Sequence, residues 1–193
     1  MMIAGPNGAG KTTTAEAFLS QQEDLYDEFL NADHIARGLS PLHPENVNSQ
    51  AGKLMIQRFH DCLSSNMSFA FETTASGLTY SNHLKKAKQH GYTISLIYLW
   101  LSSPDQAVKR VAQRVKQGGH NIPESDIRRR YFRGLRNFIN LYLPLADTAL
   151  ILDNSRAESG ARKIIARKEF DRQLQIEDEK IWEKMRESAN VKI

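Results

Sequence analysis

Eight residues near the start of the chain, Gly5-Pro6-Asn7-Gly8-Ala9-Gly10-Lys11-Thr12, constrain the fold more than any other feature. They satisfy the phosphate-loop pattern of a Gly, four residues, then Gly-Lys-Thr, which carries a mechanism when a strand feeds it and a helix leaves it. Both flanks are present: residues 1–4 are a short apolar run, and residues 12–21 place Ala15, Phe18 and Leu19 at helical spacing. In such a turn the glycines let consecutive backbone N–H groups face a β-phosphate, and the helix N-terminus adds a favourable dipole. Lys11 is placed to bridge β- and γ-oxygens, Thr12 to ligate Mg²⁺ and Thr13 to line the same site, so ATP and Mg²⁺ are the expected cofactors.

The remainder of the chain alternates between strand and helix patterns. Residues 29–32 and 68–72 read as strands, and residues 93–101 form an apolar run without alternation, as expected of a strand covered on both faces. A fifth strand is expected at residues 148–152. Between them lie helical patterns: one carries Val47, Ala51, Leu54, Met55 and Phe59, one spans residues 80–90 before Gly91, and one opens at Ser103-Pro104-Asp105. The predicted fold is therefore α/β, a parallel P-loop NTPase sheet flanked by helices. Residues 1–193 are read as one domain, with a helical arginine-rich lid at about 104–143 and a C-terminal hairpin and helix at about 160–190.

Composition excludes several classes. With 40% hydrophobic and 25% charged residues, 6 Pro and 11 Gly, the chain is neither collagen-like nor low-complexity. The single cysteine, Cys62, rules out an internal disulfide framework and a cysteine-rich zinc site. No apolar run approaches the roughly 20 residues of a membrane span, and the N-terminus lacks a signal-peptide pattern, so a cytoplasmic protein without a membrane partner is expected.

The net charge of +4 is unevenly placed: nine Lys or Arg fall between Lys109 and Arg136, opposed by Glu124 and Asp126. Such a block points to an anionic partner. Arg110 and Arg114 share a helix face, Gly118-Gly119 makes a joint, and Arg128, Arg129 and Arg130 follow Ile122-Pro123, which reads as a hinged lid that swings guanidinium groups over a γ-phosphate. Asp33, at the end of the second strand, is the expected base for an acceptor hydroxyl; the bland reading makes it a helix N-cap. Glu72 ends the third strand, where a charge needs a partner such as a metal-bound water or a substrate hydroxyl, and Thr73 and Thr74 offer hydroxyls to the same pocket. His120 is read as a lid-turn residue or a substrate contact.

The order of the phosphate loop, Asn31-Ala32-Asp33, Phe71-Glu72-Thr73-Thr74, Arg110-Val111-Ala112-Gln113-Arg114-Val115, Gly118-Gly119-His120, Ile127-Arg128-Arg129-Arg130-Tyr131 and Asp153-Asn154-Ser155 resembles the zeta-toxin-like kinase family. The Gly-Gly-His and Ile-Arg-Arg-Arg-Tyr segments are similar to its chromosomal branch, often described only as predicted ATPases. The resemblance implies a P-loop kinase that phosphorylates a sugar hydroxyl of UDP-N-acetylglucosamine, with an antitoxin protein as partner. Carried over by position, Lys11 and Thr12 hold ATP and Mg²⁺, Asp33 is the base, Glu72 and Thr74 meet substrate, and Arg114 with Arg128 or Arg129 clamps phosphate.

Two other readings stay open. The basic block could follow a nucleic-acid backbone, as in a polynucleotide kinase or nucleic-acid-stimulated ATPase, with Tyr131, Phe132 and Phe138 as stacking residues. The chain could also be a switch that hydrolyses ATP slowly. No Asn-Lys-x-Asp guanine-reading segment is present, which disfavours a GTPase.

Overall fold

The computed structural model describes residues 1–21, 25–119, 121–156 and 162–190. Its centre is strand β1 (Met2–Ala4), hydrogen-bonded in parallel to β3 (Phe69–Thr73) on one side and β4 (Ser95–Trp100) on the other. Strand β2 (Glu28–Leu30) lies outside β3, and β5 (Thr148–Asp153) lies outside β4, both parallel. The sheet runs β2-β3-β1-β4-β5 and then adds β6 (Lys163–Lys168) and β7 (Gln175–Ile176), both antiparallel. The expected C-terminal hairpin thus exists, but it widens the main sheet instead of standing apart.

Both sheet faces are covered, which is why the strands read as unbroken apolar runs. Met2, Leu96, Tyr98 and Trp100 face one core with Met55 and Phe59 of α3 (Asn48–Ser64), Leu84 of α4 (Thr79–Gln89), and Trp182 and Met185 of α7 (Glu179–Ala189). Ile3, Ile97 and Leu99 face the other, with Ala15 of α1 (Lys11–Leu19), Ala107 and Val111 of α5 (Pro104–Lys116), and Ile127 and Tyr131 of α6 (Glu124–Asn137). Leu54, expected among the core residues of α3, is exposed instead. No helix among the described residues is long and apolar enough to cross a membrane.

Two local departures bear on the site. Strand β2 stops at Leu30 because the Asn31 side chain accepts from the N–H groups of Asp33 (2.8 Å) and His34 (3.2 Å), which starts α2 (Ala32–Leu39). Asp33 therefore sits in the first turn of a helix that Asn31 caps, neither ending a strand nor capping. The helix expected through residue 143 ends at Asn137 and continues as a π-turn over Phe138–Tyr142 and a 3₁₀ turn over Leu143–Leu145.

That continuation fixes α6 to the body. Phe138 stacks on Tyr98 with ring centroids 3.8 Å apart, and the Tyr131 hydroxyl donates to the Leu101 carbonyl at 2.7 Å. Helices α5 and α6 are thus packed walls of the domain, where a hinged lid was expected over 104–143. The segment joining them contains Gly118 and Gly119, and its residues Asn121, Ile122 and Pro123 line a cavity.

Candidate active site

From β1 the chain crosses by α1 to β2 on one side of the sheet, and from β3 it crosses by α4 to β4 on the other side of β1, so a crevice opens beyond the carboxyl end of β1. The phosphate loop fills its floor. Gly8 and Gly10 have φ of 75° and 79°, left-handed conformations that free their N–H groups to turn inward. A Cβ on Gly8 would stand 2.9 Å from the Arg110 Cβ and 3.1 Å from the Ala107 carbonyl, so α5 packs directly against the loop. Gly10 precedes α1 without a side-chain cap, which leaves the first N–H groups of that helix for an anion. Lys11 is 7% exposed and donates to the Pro6 carbonyl at 3.1 Å. Gly5 lies beneath the loop against the Leu99 carbonyl, and Asn7 faces the cavity beside it.

Glu72, delivered by the end of β3, ties these pieces together. Its carboxylate accepts from the Thr12 hydroxyl at 2.7 Å and the Asn31 amide at 2.9 Å, and stands 3.6 Å from the Lys11 ammonium. It thus holds the phosphate-loop lysine, the expected metal-binding hydroxyl and the cap of α2 at one point. Its burial is tolerable because each oxygen has a donor or a cation. Asp33, in the first turn of α2, is exposed and accepts no hydrogen bond or ion pair at its carboxylate among the described residues.

Two cavities meet there. One of about 260 Å³ is lined by Gly8, Gly10, Lys11, Thr12, Thr13, Arg37, Arg110 and Arg114. The other, about 410 Å³, is lined by Asn7, Thr73, Thr74, Met55, Tyr80, Arg114 and Arg130 among others. Lys11, Asp33, Glu72 and Arg114 belong to both walls. Burial of the Tyr80 phenol pushes its pKa up to about 12, so it stays neutral at the cavity edge.

Thr73 and Thr74 are held by their own loop and by α6. The Thr73 hydroxyl accepts from the Ala75 N–H at 3.1 Å, and the Thr74 and Ser76 hydroxyls are 2.9 Å apart. Asn137 donates to the Ala75 carbonyl at 2.9 Å and Tyr142 to the Gly77 carbonyl at 2.6 Å. Gly134 lets α6 press directly on the Thr74 carbonyl. None of these three fasteners stands out in the sequence, since each is an ordinary helical position until the tertiary contact is seen.

The arginine block divides. Arg110 lines the phosphate-loop cavity and donates to the Ser155 carbonyl at 3.1 Å, and Arg114 lines both cavities. Arg128 and Arg129, expected as phosphate clamps, line neither. Arg128 donates to Asp105 at 2.6 Å and Glu124 at 2.8 Å, bonds that hold its guanidinium more firmly charged, and Arg129 donates to Asp126 at 2.6 Å. The physical reason is helical phase: those acids lie on the faces that Arg128 and Arg129 present, which leaves Arg130 toward the cavity. His120 lies outside the described residues. After β5, Asn154 is 1% exposed and donates to the Ala9 carbonyl at 2.6 Å, pinning the phosphate loop from the far side.

Comparison with known proteins agrees with this architecture. A protein of Haemophilus influenzae described as uncharacterized is 32% identical over 131 residues, 68% of this chain and 91% of its own length. A chain of the AvrRxo1-ORF1:AvrRxo1-ORF2 complex solved with sulphate ions superposes with a TM-score of 0.76 at 16% identity, covering 100% of this chain and 65% of that one. The same complex solved with ATP gives 0.75 at 18% identity and the same coverage. This chain thus spans about two thirds of the length of those structural relatives. A chain from the PezAT chromosomal toxin-antitoxin system of Streptococcus pneumoniae gives 0.59 at 13% identity, covering 86% of this chain and 69% of that one. The AAA domain family matches residues 1–133, which carry the phosphate loop, Asp33, Glu72, Arg114 and Arg130, and the chain belongs to that family of P-loop proteins.

Proposed function

We propose that this chain is a phosphotransferase that moves the γ-phosphoryl group of Mg-ATP to a hydroxyl of a small molecule. The observation that carries this reading is the pair of adjoining cavities whose shared wall is Lys11, Asp33, Glu72 and Arg114. A nucleotide-hydrolysing switch needs only the first cavity; a kinase needs a second compartment for its acceptor, entering beside a base.

The residues fit ATP and Mg²⁺. The left-handed glycines, the uncapped start of α1 and buried Lys11 form a triphosphate cradle with Arg110 and Arg114 on its rim, while Pro6 and Ala9 are buried within the loop and shape its turn from beneath. Among the described residues no group of three His, Cys, Asp or Glu side chains could hold a metal by itself. This suits Mg²⁺, which is bound through few protein oxygens plus phosphate and water, with Thr12 as ligand and Glu72 orienting the Thr12 hydroxyl. When bound, the metal neutralises charge on the β- and γ-oxygens.

Asp33 takes the proton of the acceptor hydroxyl as its oxygen bonds to the γ-phosphorus, and the bond from that phosphorus to the β–γ bridging oxygen breaks to leave ADP. Lys11 and Arg114 offset charge on the phosphoryl oxygens in flight. Thr73 and Thr74 face the acceptor. The 410 Å³ cavity has small-molecule dimensions, and Tyr131 and Phe138 are buried, so neither offers a stacking face to a nucleic-acid strand.

Following the zeta-like order of motifs, UDP-N-acetylglucosamine is the first acceptor to test, in a cytoplasmic setting. The PezAT likeness makes an antitoxin-type chain the protein partner to seek. Transfer from Mg-ATP to a panel of UDP-sugars, nucleosides and oligonucleotides, read by mass spectrometry, tests the reading. A phosphorylated small acceptor formed by the wild type and lost in Asp33→Asn, with nucleotide binding kept, supports it. ATP hydrolysis equal in both proteins, with no acceptor modified, overturns it.

A further inference from the structure

The triplet Arg128-Arg129-Arg130 opens α6, and its three side chains have different fates. Arg128 and Arg129 are occupied by Asp105, Glu124 and Asp126. Arg130 is half-buried on the wall of the 410 Å³ cavity, and among the described residues its guanidinium makes no hydrogen bond and no ion pair. The nearby carboxylate of Asp126 feels the Arg130 charge, yet Arg129 already donates to it at 2.6 Å. A guanidinium drawn partly out of water toward a cavity, with no carboxylate hydrogen-bonded to it, is matched to an anion arriving from that cavity.

We propose that Arg130 binds an anionic group of the acceptor, so that the second cavity takes a small molecule bearing a phosphate or carboxylate with its reacting hydroxyl toward Asp33. This rests on the phosphotransferase reading above.

Three features assign the anion to the acceptor and not to the nucleotide. Arg130 lines only the acceptor cavity, whereas Arg37 and Arg110 line only the phosphate-loop cavity and Lys11 and Arg114 stand on the wall between the two. Arg130 is flanked in sequence by buried Ile127 and Tyr131, which seat its helix against the sheet, so its backbone position beside the cavity is fixed before a ligand arrives. Met55, Tyr80 and Ile122 supply apolar surface to the same cavity, which suits the body of a ring carried between the anion and the hydroxyl.

The test is calorimetric titration of the protein saturated with Mg-AMP-PNP, which occupies the phosphate loop without transfer. The probes are UDP-N-acetylglucosamine and glucose 6-phosphate for phosphate, gluconate for carboxylate, and N-acetylglucosamine and glucose as uncharged twins. At least one anionic probe should bind where its twin does not, and comparison of glucose 6-phosphate with gluconate tells phosphate from carboxylate. Arg130→Gln should weaken that binding by about tenfold or more, with partial rescue by Arg130→Lys. Arg133→Gln removes an equal charge from an exposed position on the same helix and should stay within about twofold.

The inference is overturned if no anionic probe binds, if twins bind equally, or if Arg130→Gln leaves anion affinity unchanged. It is equally overturned if Arg130→Gln weakens Mg-AMP-PNP in place of the acceptor, a result that leaves the kinase reading intact. Anion binding that depends on Arg130, in a protein that never transfers phosphate, would instead remove the kinase reading and keep the site.

Discussion

Replacing a helical glycine with alanine ordinarily stabilises a protein by about 0.5–1 kcal/mol, because alanine loses less backbone freedom on folding. Gly134 should reverse that sign. A Cβ there collides with the Thr74 carbonyl oxygen, and the Thr74 carbonyl carbon and Ser76 nitrogen follow at 3.6 and 3.7 Å. The obstacle is backbone, so it cannot rotate aside; either α6 lifts or the loop carrying Thr73 and Thr74 is pushed toward the cavity. Overpacking of this kind costs about 1–3 kcal/mol, and since the backbone obstacle puts this site in the upper part of that range, a net loss of about 1–2.5 kcal/mol remains after the propensity gain. Gly52, within α3, has nothing within 4 Å of an added Cβ, so Gly52→Ala should gain about 0.5–1 kcal/mol. Urea unfolding of both variants beside the wild type reads the two shifts in opposite directions. The displaced loop belongs to the acceptor side, so Gly134→Ala should also reduce acceptor turnover more than nucleotide affinity. A Gly134→Ala protein as stable as the wild type would show that α6 does not press on this loop, and the fastening role of Asn137 and Tyr142 would fall with it.

Arg114→Ala, which removes the arginine common to both cavities, should lower kcat for transfer by about a hundredfold or more while nucleotide Kd moves by less than about tenfold; equal losses in both would place it in nucleotide binding alone. Glu72→Gln removes the anion paired with Lys11 and should tighten magnesium-free ADP binding severalfold while transfer falls; unchanged ADP affinity would mean that phosphate does not compete with this carboxylate. His83 stacks edge-on against His60 with ring centroids 4.5 Å apart, and burial, then His60 and Lys86, holds its pKa below the ordinary value. The unfolded chain takes up that proton near pH 6.5 while the folded chain resists it, so stability should be lost as pH falls from about 7 through 6.5 toward the lowered folded pKa. The Tm drop between pH 7.5 and 5.5 should be larger in the wild type than in His83→Phe, and parallel drops would exclude His83 as the cause.

What the sequence made legible was local in origin. The phosphate loop could be read because its glycines and Lys11 act through backbone geometry within eight residues. The strands of the doubly covered sheet were visible because burial on both faces removes alternation, as in β4. The β2 boundary was misplaced by two residues because Asn31 and Asp33 are both good caps, and only the hydrogen bonds show that Asn31 takes the role.

The arginines mark where such reading ends. Three consecutive residues on a helix point about 100° apart, so one turn of backbone decides that Arg130 meets the cavity while Arg128 and Arg129 meet acids. The acid Asp105 lies 23 positions before Arg128, at the opposite end of a helix pair, and nothing in the local pattern of α6 announces it. The same holds for Glu72, whose carboxylate is defined by Thr12, 60 positions away, and Asn31, 41 positions away. Charge count pointed to an anionic partner; only the sheet order, by setting β3 beside β1, places Glu72 against the phosphate loop and leaves Asp33 exposed where the two cavities meet. A substitution that breaks the Asp105–Arg128 pair should therefore loosen the contact of α5 with α6, whereas one at Arg130 should act on the ligand, although the sequence presents the two residues as equivalent.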